Sequence, residues 1–282
     1  MLEYFAKGVR EARVSIDPSQ VRFKLPKAKK IANWPALLDE EFAIFECFKD
    51  PEETVLDLGA NTGLAAASIF KAGCRATVLS FEPNPQHHPV LSDLKSIFKE
   101  RFDFAPLGLG TSRGSISFFT PVVDGRAIDQ LSTANPMFGL PWALPENILI
   151  YCMNDLANVE EPHLQFCETQ WPIEPLDEVL AEQRFLVPTE KIAAIKLDLE
   201  GFEEDALTGA QETLSNHKPL IMIESGNREK SVDGLLRKQG YLYADFHEGS
   251  LVLTDMITTR VNGFYLHSEK LGLYADMGIL RR

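Results

Sequence analysis

From Thr54 onward the chain alternates short apolar strands with amphipathic helices, and that rhythm restricts the fold more than any other feature. Strands are predicted at Thr54 to Leu58, Ala76 to Phe81 and Phe104 to Leu109. Between them run a small-residue helix ended by Gly73 and a second helix with Val90, Leu91, Leu94, Ile97 and Phe98 on one face. The rhythm resumes with a helix at Leu176 to Gln183, a strand at Ile192 to Leu199 and one helix from Phe202 to Leu214. A strand at Pro219 to Glu224, a helix at Val232 to Gln239 and a closing antiparallel pair at Leu251 to Thr254 and Gly263 to His267 complete it. Strands separated by helices imply right-handed parallel βαβ units. The expected fold is therefore α/β: a doubly wound, Rossmann-like, mostly parallel sheet of about seven strands with an antiparallel edge strand.

Residues 1–50 read as an N-terminal extension with one helix over Leu38 to Phe48, and residues 51–282 as the main domain. Residues 110–175 read as an inserted hairpin and loop region. Its first arm is Gly114 to Thr120, and a Pro-, Gly- and Ser/Thr-rich stretch over 121–145 with Trp142 follows. So long an insertion in a compact domain is usually functional or mobile.

The turn VLDLGANTG, Val55 to Gly63, joins the first strand to its helix. A dinucleotide turn is G-x-G-x-x-G. Counted from Gly59, its later glycines would fall where Asn61 and Leu64 stand, so that fingerprint fails twice. Asn61 tolerates positive φ and keeps the turn sharp. Ala60 and Thr62 complete the turn, and Gly63 lets the helix start close to a ligand. Asp57 sits at the strand end, where its carboxylate repels a pyrophosphate and attracts an ammonium or sulfonium group. S-adenosylmethionine carries both. Glu82 ends the next strand, 82 − 63 = 19 residues after Gly63, close to the spacing of an acid that accepts from ribose hydroxyls. Leu107 and Gly108, near the end of the third strand, are where an adenine would pack.

A second constellation is IAAIKLDLEG, Ile192 to Gly201. Ile195, Leu197 and Leu199 fall on one face of that strand, and Lys196, Asp198 and Glu200 on the other. Central parallel strands are normally apolar on both faces. Three charges there must pair, emerge at the carboxyl end, or both. One reading is structural, with Lys196 paired to Asp198 or Asp57 and Glu200 capping the next helix. The other is catalytic, with Lys196, Asp198 and Glu200 handling the proton of an acceptor hydroxyl. Paired carboxylates also suit Mg²⁺, although the sequence holds no complete ligand loop. Glu224 adds a carboxylate to the same rim.

Composition narrows the partners. Of 282 residues, 45% are hydrophobic and 24% charged, as in ordinary globular proteins. The net charge of −13 disfavours nucleic acid and anionic membranes. The basic run KLPKAKK, Lys24 to Lys30, reads as a solvated linker. No apolar run approaches the ~18 residues of a membrane span. The N-terminus lacks the apolar core of a signal peptide, and Cys47, Cys74, Cys152 and Cys167 form no C-x-x-C pair. The expectation is a cytoplasmic protein with reduced thiols.

VLDLGANTG, SFEPNP, IKLDLEGFEEDALTGAQETL, PLIMIE and LLRKQGY, in that order, resemble the FkbM family of S-adenosylmethionine-dependent methyltransferases. The resemblance runs from about Thr54 to Tyr243. It implies a class I methyltransferase sheet with a reversed last strand, and O-methylation of a small-molecule or sugar hydroxyl. It carries Asp57, Gly59, Asn61, Gly63 and Glu82 over as cofactor contacts. Lys196, Asp198 and Glu200 carry over as the family's second motif. The alternatives are a non-catalytic S-adenosylmethionine-binding or interaction module and a nicotinamide-dependent oxidoreductase.

Overall fold

The structure is a computed structural model that describes residues 16–128, 132, 164–182, 184–224, 230–257 and 262–281. Most of the Pro-rich stretch with Trp142, together with Cys152, His163 and the first 15 residues, lies outside the described residues. By contacts the chain divides into two compact units. The larger holds Leu25–Gly114, Ile173–Leu199 and Glu203–Arg282; the smaller holds Met1–Lys24, Ser115–Pro172 and Glu200–Phe202.

The larger unit opens with α1 (Ala28–Ala32) and a 3₁₀ helix at Glu40–Cys47. The run read as a solvated linker thus ends in a short helix that buries Ala28 and Ile31 and leaves its lysines outside. The helix expected over Leu38 to Phe48 is 3₁₀ rather than α. Phe42, Phe45 and Phe48 recur every third residue, which matches three residues per turn, and all three are buried.

The central elements are β1 (Thr54–Leu58), α2 (Leu64–Lys71), β2 (Thr77–Phe81), α3 (His88–Phe98) and β3 (Phe102–Ala105). β4 (Gly108–Leu109), β5 (Gly114–Val123), β6 (Arg126–Ala127) and β7 (Leu164–Glu174) interrupt the rhythm. Then come α4 (Leu176–Ala181), β8 (Ile192–Leu197), α5 (Glu203–Thr208), α6 (Gln211–His217), β9 (Leu220–Glu224) and α7 (Lys230–Lys238). The chain closes with β10 (Tyr241–His247), β11 (Ser250–Leu253), β12 (Asn262–His267), α8 (Leu271–Asp276) and β13 (Leu280–Arg281).

The main sheet has nine strands, in the order β13-β11-β10-β12-β9-β8-β1-β2-β3, and not seven. Two strands escaped the sequence. β10 carries Asp245 inside an otherwise apolar run, satisfied by the Tyr243 hydroxyl at 2.7 Å, and β13 is too short to show a period. The reversed strand is internal: β12 lies antiparallel between β9 and β10, so β11 and β12 pair with β10 and not with each other. The third strand also stops early. Pro106 follows Ala105 and cannot donate to the ladder, and Gly108 and Leu109 pair instead with Ile173 and Glu174.

Alternation along the strands sorts two cores. Val55, Val78, Ala194 and Met222 face a cluster with Ile31, Phe45, Ile69, Leu91 and Leu94. Leu56, Leu79, Ile195 and Ile223 face a second, with Leu176, Leu207, Leu214 and Leu236. Helices thus cover both sheet faces, as a doubly wound sheet requires. The 3₁₀ helix of residues 40–47 belongs to the first core and is part of the domain body.

The single helix expected over Phe202 to Leu214 is two, α5 and α6. Asp177 on α4 supplies the reason: its carboxylate accepts from the amides of Glu212 and Thr213 at 2.8 and 2.9 Å and from the Thr213 hydroxyl at 2.6 Å. A new helix can start there because its first-turn donors have a partner. Asp177→Ala is expected to cost about 1–2 kcal/mol, measurable as a shift of the urea midpoint.

In the smaller unit, β5 pairs antiparallel with β6, and Phe118 stacks on Trp171 with ring centroids 4.1 Å apart. Among the described residues, no helix is long and apolar enough to cross a membrane.

Candidate functional site

β1, β2 and β8 end side by side, and their register builds the site. Asp57 pairs with Ser80 on one side and Lys196 on the other. Paired residues of parallel strands point to the same face, so these three side chains form a polar row on an otherwise apolar layer. Ser80 donates to Asp57 Oδ2 at 2.8 Å. Lys196 Nζ lies 3.5 Å from Asp57 Oδ1, 3.2 Å from Asp198 Oδ2, and donates to the Gly59 carbonyl at 3.0 Å.

Asp57, Ser80 and Lys196 are all buried. Burial alone would push the Lys196 ammonium down, but the carboxylates of Asp198 and Asp57 outweigh it and hold the pKa above the usual lysine range. Lys196 is therefore a cation at any physiological pH. Burial pushes the Asp57 carboxyl up, and Lys196 and the Ser80 hydroxyl oppose that. Asp57 meets its positive charge within the protein, as the structural reading of Lys196 allows.

The turn after β1 is tight. Gly59, Asn61 and Gly63 all take positive φ, at 88°, 49° and 83°. A Cβ on Gly59 would stand 1.8 Å from the Asp198 carbonyl oxygen, so this glycine lets β1 and β8 close on each other. A Cβ on Gly63 would stand 2.4 Å from a methyl of Leu94, so this one seats α2 against α3.

Four of the five amides from Gly59 to Gly63 are already engaged. Gly59 and Ala60 both donate to the Phe81 carbonyl, at 3.1 and 2.9 Å, and Gly63 donates to the Ala60 carbonyl at 2.7 Å. Asn61 donates its amide to Glu82 Oε2 at 2.7 Å. Thr62 is half-buried between Asn61 and Gly63. A phosphate cradle needs free amides pointing at the anion. This turn instead directs donors to carbonyls and a carboxylate.

Glu82 is buried just past β2. Its other oxygen accepts from the Asn84 amide at 2.8 Å, and His87 Nδ1 lies 3.5 Å away. Each carboxylate oxygen has two lone-pair directions, so one acceptor direction on each remains beyond these two amide bonds. Leu107 packs partly buried against the second core. Gly108 is not at the end of the third strand; Ile173 and Pro83 close in on it to 3.1 and 3.4 Å of where a Cβ would be.

β8 ends at Leu197, and Asp198 follows it with its amide on the Leu58 carbonyl at 3.1 Å. Glu200 does not continue the strand alternation: its φ is 54°. Glu203, the first residue of α5, turns back so that its carboxylate accepts from the Leu199 amide at 2.8 Å.

Glu224 sits at the end of β9, and its carboxylate lies within 4.8 Å of that of Asp198. Burial first, then the Asp198 charge and a hydrogen bond to Asp198, push its carboxyl up to about 7. The sequence placed Glu224 on this rim without singling it out. The signal was the register: IKL and IMI lie side by side once the two strands are paired, and Asp198 and Glu224 follow them.

Among solved structures, the chain is similar to methyltransferase FkbM from Methylobacillus flagellatus KT, at 14% identity and a TM-score of 0.44, over 85% of this chain and 58% of that one. It is similar to precorrin-6y C5,15-methyltransferase from Geobacter metallireducens GS-15, at 8% identity and a TM-score of 0.38, over 94% of this chain and 97% of that one. It is also similar to an rRNA methylase from Streptococcus thermophilus, at 15% identity and a TM-score of 0.37, over 82% and 98% of the two chains. This chain thus spans less than two thirds of the length of the Methylobacillus protein. No curated protein matches it in sequence. The family described as Methyltransferase FkbM domain matches residues 57–243, well over half of the 282 residues and all of the turn, the polar row and the strand ends just described. The chain belongs to the FkbM methyltransferase family.

Proposed function

We propose that the chain is an S-adenosylmethionine-dependent O-methyltransferase that acts on a hydroxyl of a small molecule or sugar. One observation carries the cofactor reading. The turn amides of Gly59, Ala60, Asn61 and Gly63 are engaged within the protein, and the Glu82 carboxylate lies against them, while Asp57 meets its charge in Lys196. That arrangement suits a cationic nucleoside and opposes a pyrophosphate. Lys196 is one positive charge against Asp57 and Asp198, which leaves room for a cationic ligand in the local charge balance.

When bound, S-adenosylmethionine supplies a methyl group on a positively charged sulfur. The residues that would hold it are Glu82 toward the ribose hydroxyls, the turn from Gly59 to Gly63, and Leu107 with Gly108 toward the adenine. Lys196 fixes the charge of the Asp57–Asp198 row and, as a held cation, takes no proton. Asp198 and Glu200 orient or deprotonate the acceptor hydroxyl. Lys196 stands 3.2 Å from Asp198 Oδ2 and supplies positive charge on that side of the carboxylate. Holding both reactants in line and excluding water is the remaining work. Free thiols at Cys47, Cys74 and Cys167 agree with a cytoplasmic setting.

Calorimetry is expected to show S-adenosylmethionine binding with NAD giving no heat of binding. Cell extract incubated with the protein and isotopically labelled cofactor is then expected to yield a labelled ether. Binding without any labelled product would instead favour a non-catalytic cofactor-binding module, and NAD binding would sink the cofactor assignment.

A further inference from the structure

β8 and β9 run parallel with Lys196 beside Met222 and Leu197 beside Ile223. Asp198 and Glu224 are the next residues along the two strands after this last pair. Their carboxylate oxygens lie within 4.8 Å. Asp198 Oδ2 turns to Lys196, while its Oδ1 is buried and has no hydrogen-bond donor among the described residues while Glu224 is ionised. A buried acceptor left without a donor is costly, and a proton on Glu224 is the donor nearest in register. Lys196 must also serve Asp57, so two ionised carboxylates here repel each other with only part of one cation between them.

Resting on the methyl-transfer reading, we propose that Asp198 and Glu224 form a proton-sharing carboxyl pair that takes up the proton of the acceptor hydroxyl. The atoms balance simply. The hydroxyl oxygen gains the methyl group, the S–C bonding electrons stay on sulfur as a neutral thioether, and the hydroxyl proton passes to the pair. The charged groups that face Glu224 are Asp198, Lys196, Glu203 and Glu200, the last with a carboxylate oxygen within 4.8 Å. Burial, Asp198 and Glu203 favour its protonated form, and Lys196 opposes it. The outcome, a carboxyl at about 7, matches the poise that a general base needs near neutral pH. Lys196 cannot play this part, because it stays protonated.

The sign of the stability effect follows. The folded-state pKa of Glu224 lies above its ordinary 4.5, so its contribution to stability is complete below that value and is lost as pH rises through about 7. Glu224→Gln is expected to remove this decline.

The decisive experiment uses the full chain labelled with ¹³C at glutamate carboxyl carbons. One signal is expected to titrate near pH 7, to vanish in Glu224→Gln and to move to lower pH in Asp198→Asn. A wild-type spectrum in which every glutamate titrates below about pH 6 overturns the proposal. With extract and labelled cofactor, the wild-type rate is expected to rise with pH through a limb near 7. Glu224→Gln should lose that limb and be slower by roughly 10²-fold above it. A merely structural Glu224 would lower the melting temperature and leave the limb in place, which also overturns the proposal. Glu224→Asp keeps a carboxyl at the strand end and is expected to retain a limb, which separates lost chemistry from lost folding. If extract yields no labelled product, methyl transfer fails and the proton-uptake role with it, while the carboxyl titration still reports the shared proton.

Discussion

Lys196→Met is expected to lower the melting temperature by roughly 6–20 °C. Removing one partner of a buried ion pair costs about 3–5 kcal/mol, because the other charge stays buried without compensation. For a chain of this size each kcal/mol moves the midpoint by about 2–4 °C. Here the loss strands two carboxylates, Asp57 and Asp198, and removes the donor that holds the Gly59 carbonyl. Scanning calorimetry reads the shift directly. The double variant Asp57→Asn with Lys196→Met is expected to recover part of it, since the fully buried one of the two stranded charges is then gone. A single variant that melts within about 2 °C of the parent would mean that this row is not what holds the strand ends together.

Gly59→Ala is expected to cost at least about 4 kcal/mol, a magnitude reserved for a few severe mechanisms. Two of them act at once. The residue sits at a φ of 88°, where a Cβ is strained by about 1–2 kcal/mol. The new Cβ would also meet the Asp198 carbonyl at 1.8 Å, and that oxygen is backbone, which cannot swing aside. Gly63→Ala is the natural comparison. Its φ of 83° is similar, but the obstacle is the flexible end of Leu94. Urea unfolding is expected to rank Gly59→Ala as clearly worse. Equal losses would show that φ strain, and not closure of β1 on β8, dominates at both sites. Because the displaced group is Asp198 itself, any Gly59→Ala protein that folds is also expected to lose turnover.

The layers of this fold were legible because burial alternates with period two along β1, β2, β8 and β9. Val55 and Ala194 enter one core while Leu56 and Ile195 enter the other. The helices of the body were legible by their period, except where another rule intervened. Phe42, Phe45 and Phe48 chose a three-residue turn, and Asp177 started a new helix inside what reads as a single run. The sheet edge was not legible. β13 has two residues, and β10 hides an aspartate satisfied by its own neighbour's hydroxyl.

The site divides the same way. By themselves, the residues of the sequence determined a carboxylate and a tight turn at one strand end, an acid at the next, and a charged face on a strand that ought to be apolar. Local spacing is enough for that, because it fixes which side chains share a face. Only the tertiary structure decided what those charges do. Pairing β1 with β8 brought Asp57 against Lys196, pairing β8 with β9 brought Asp198 against Glu224, and Gly59 let the backbones close. Which buried charge finds which partner depends on strand order across more than a hundred residues of chain, and that order is written in the packing of two cores rather than in any single motif.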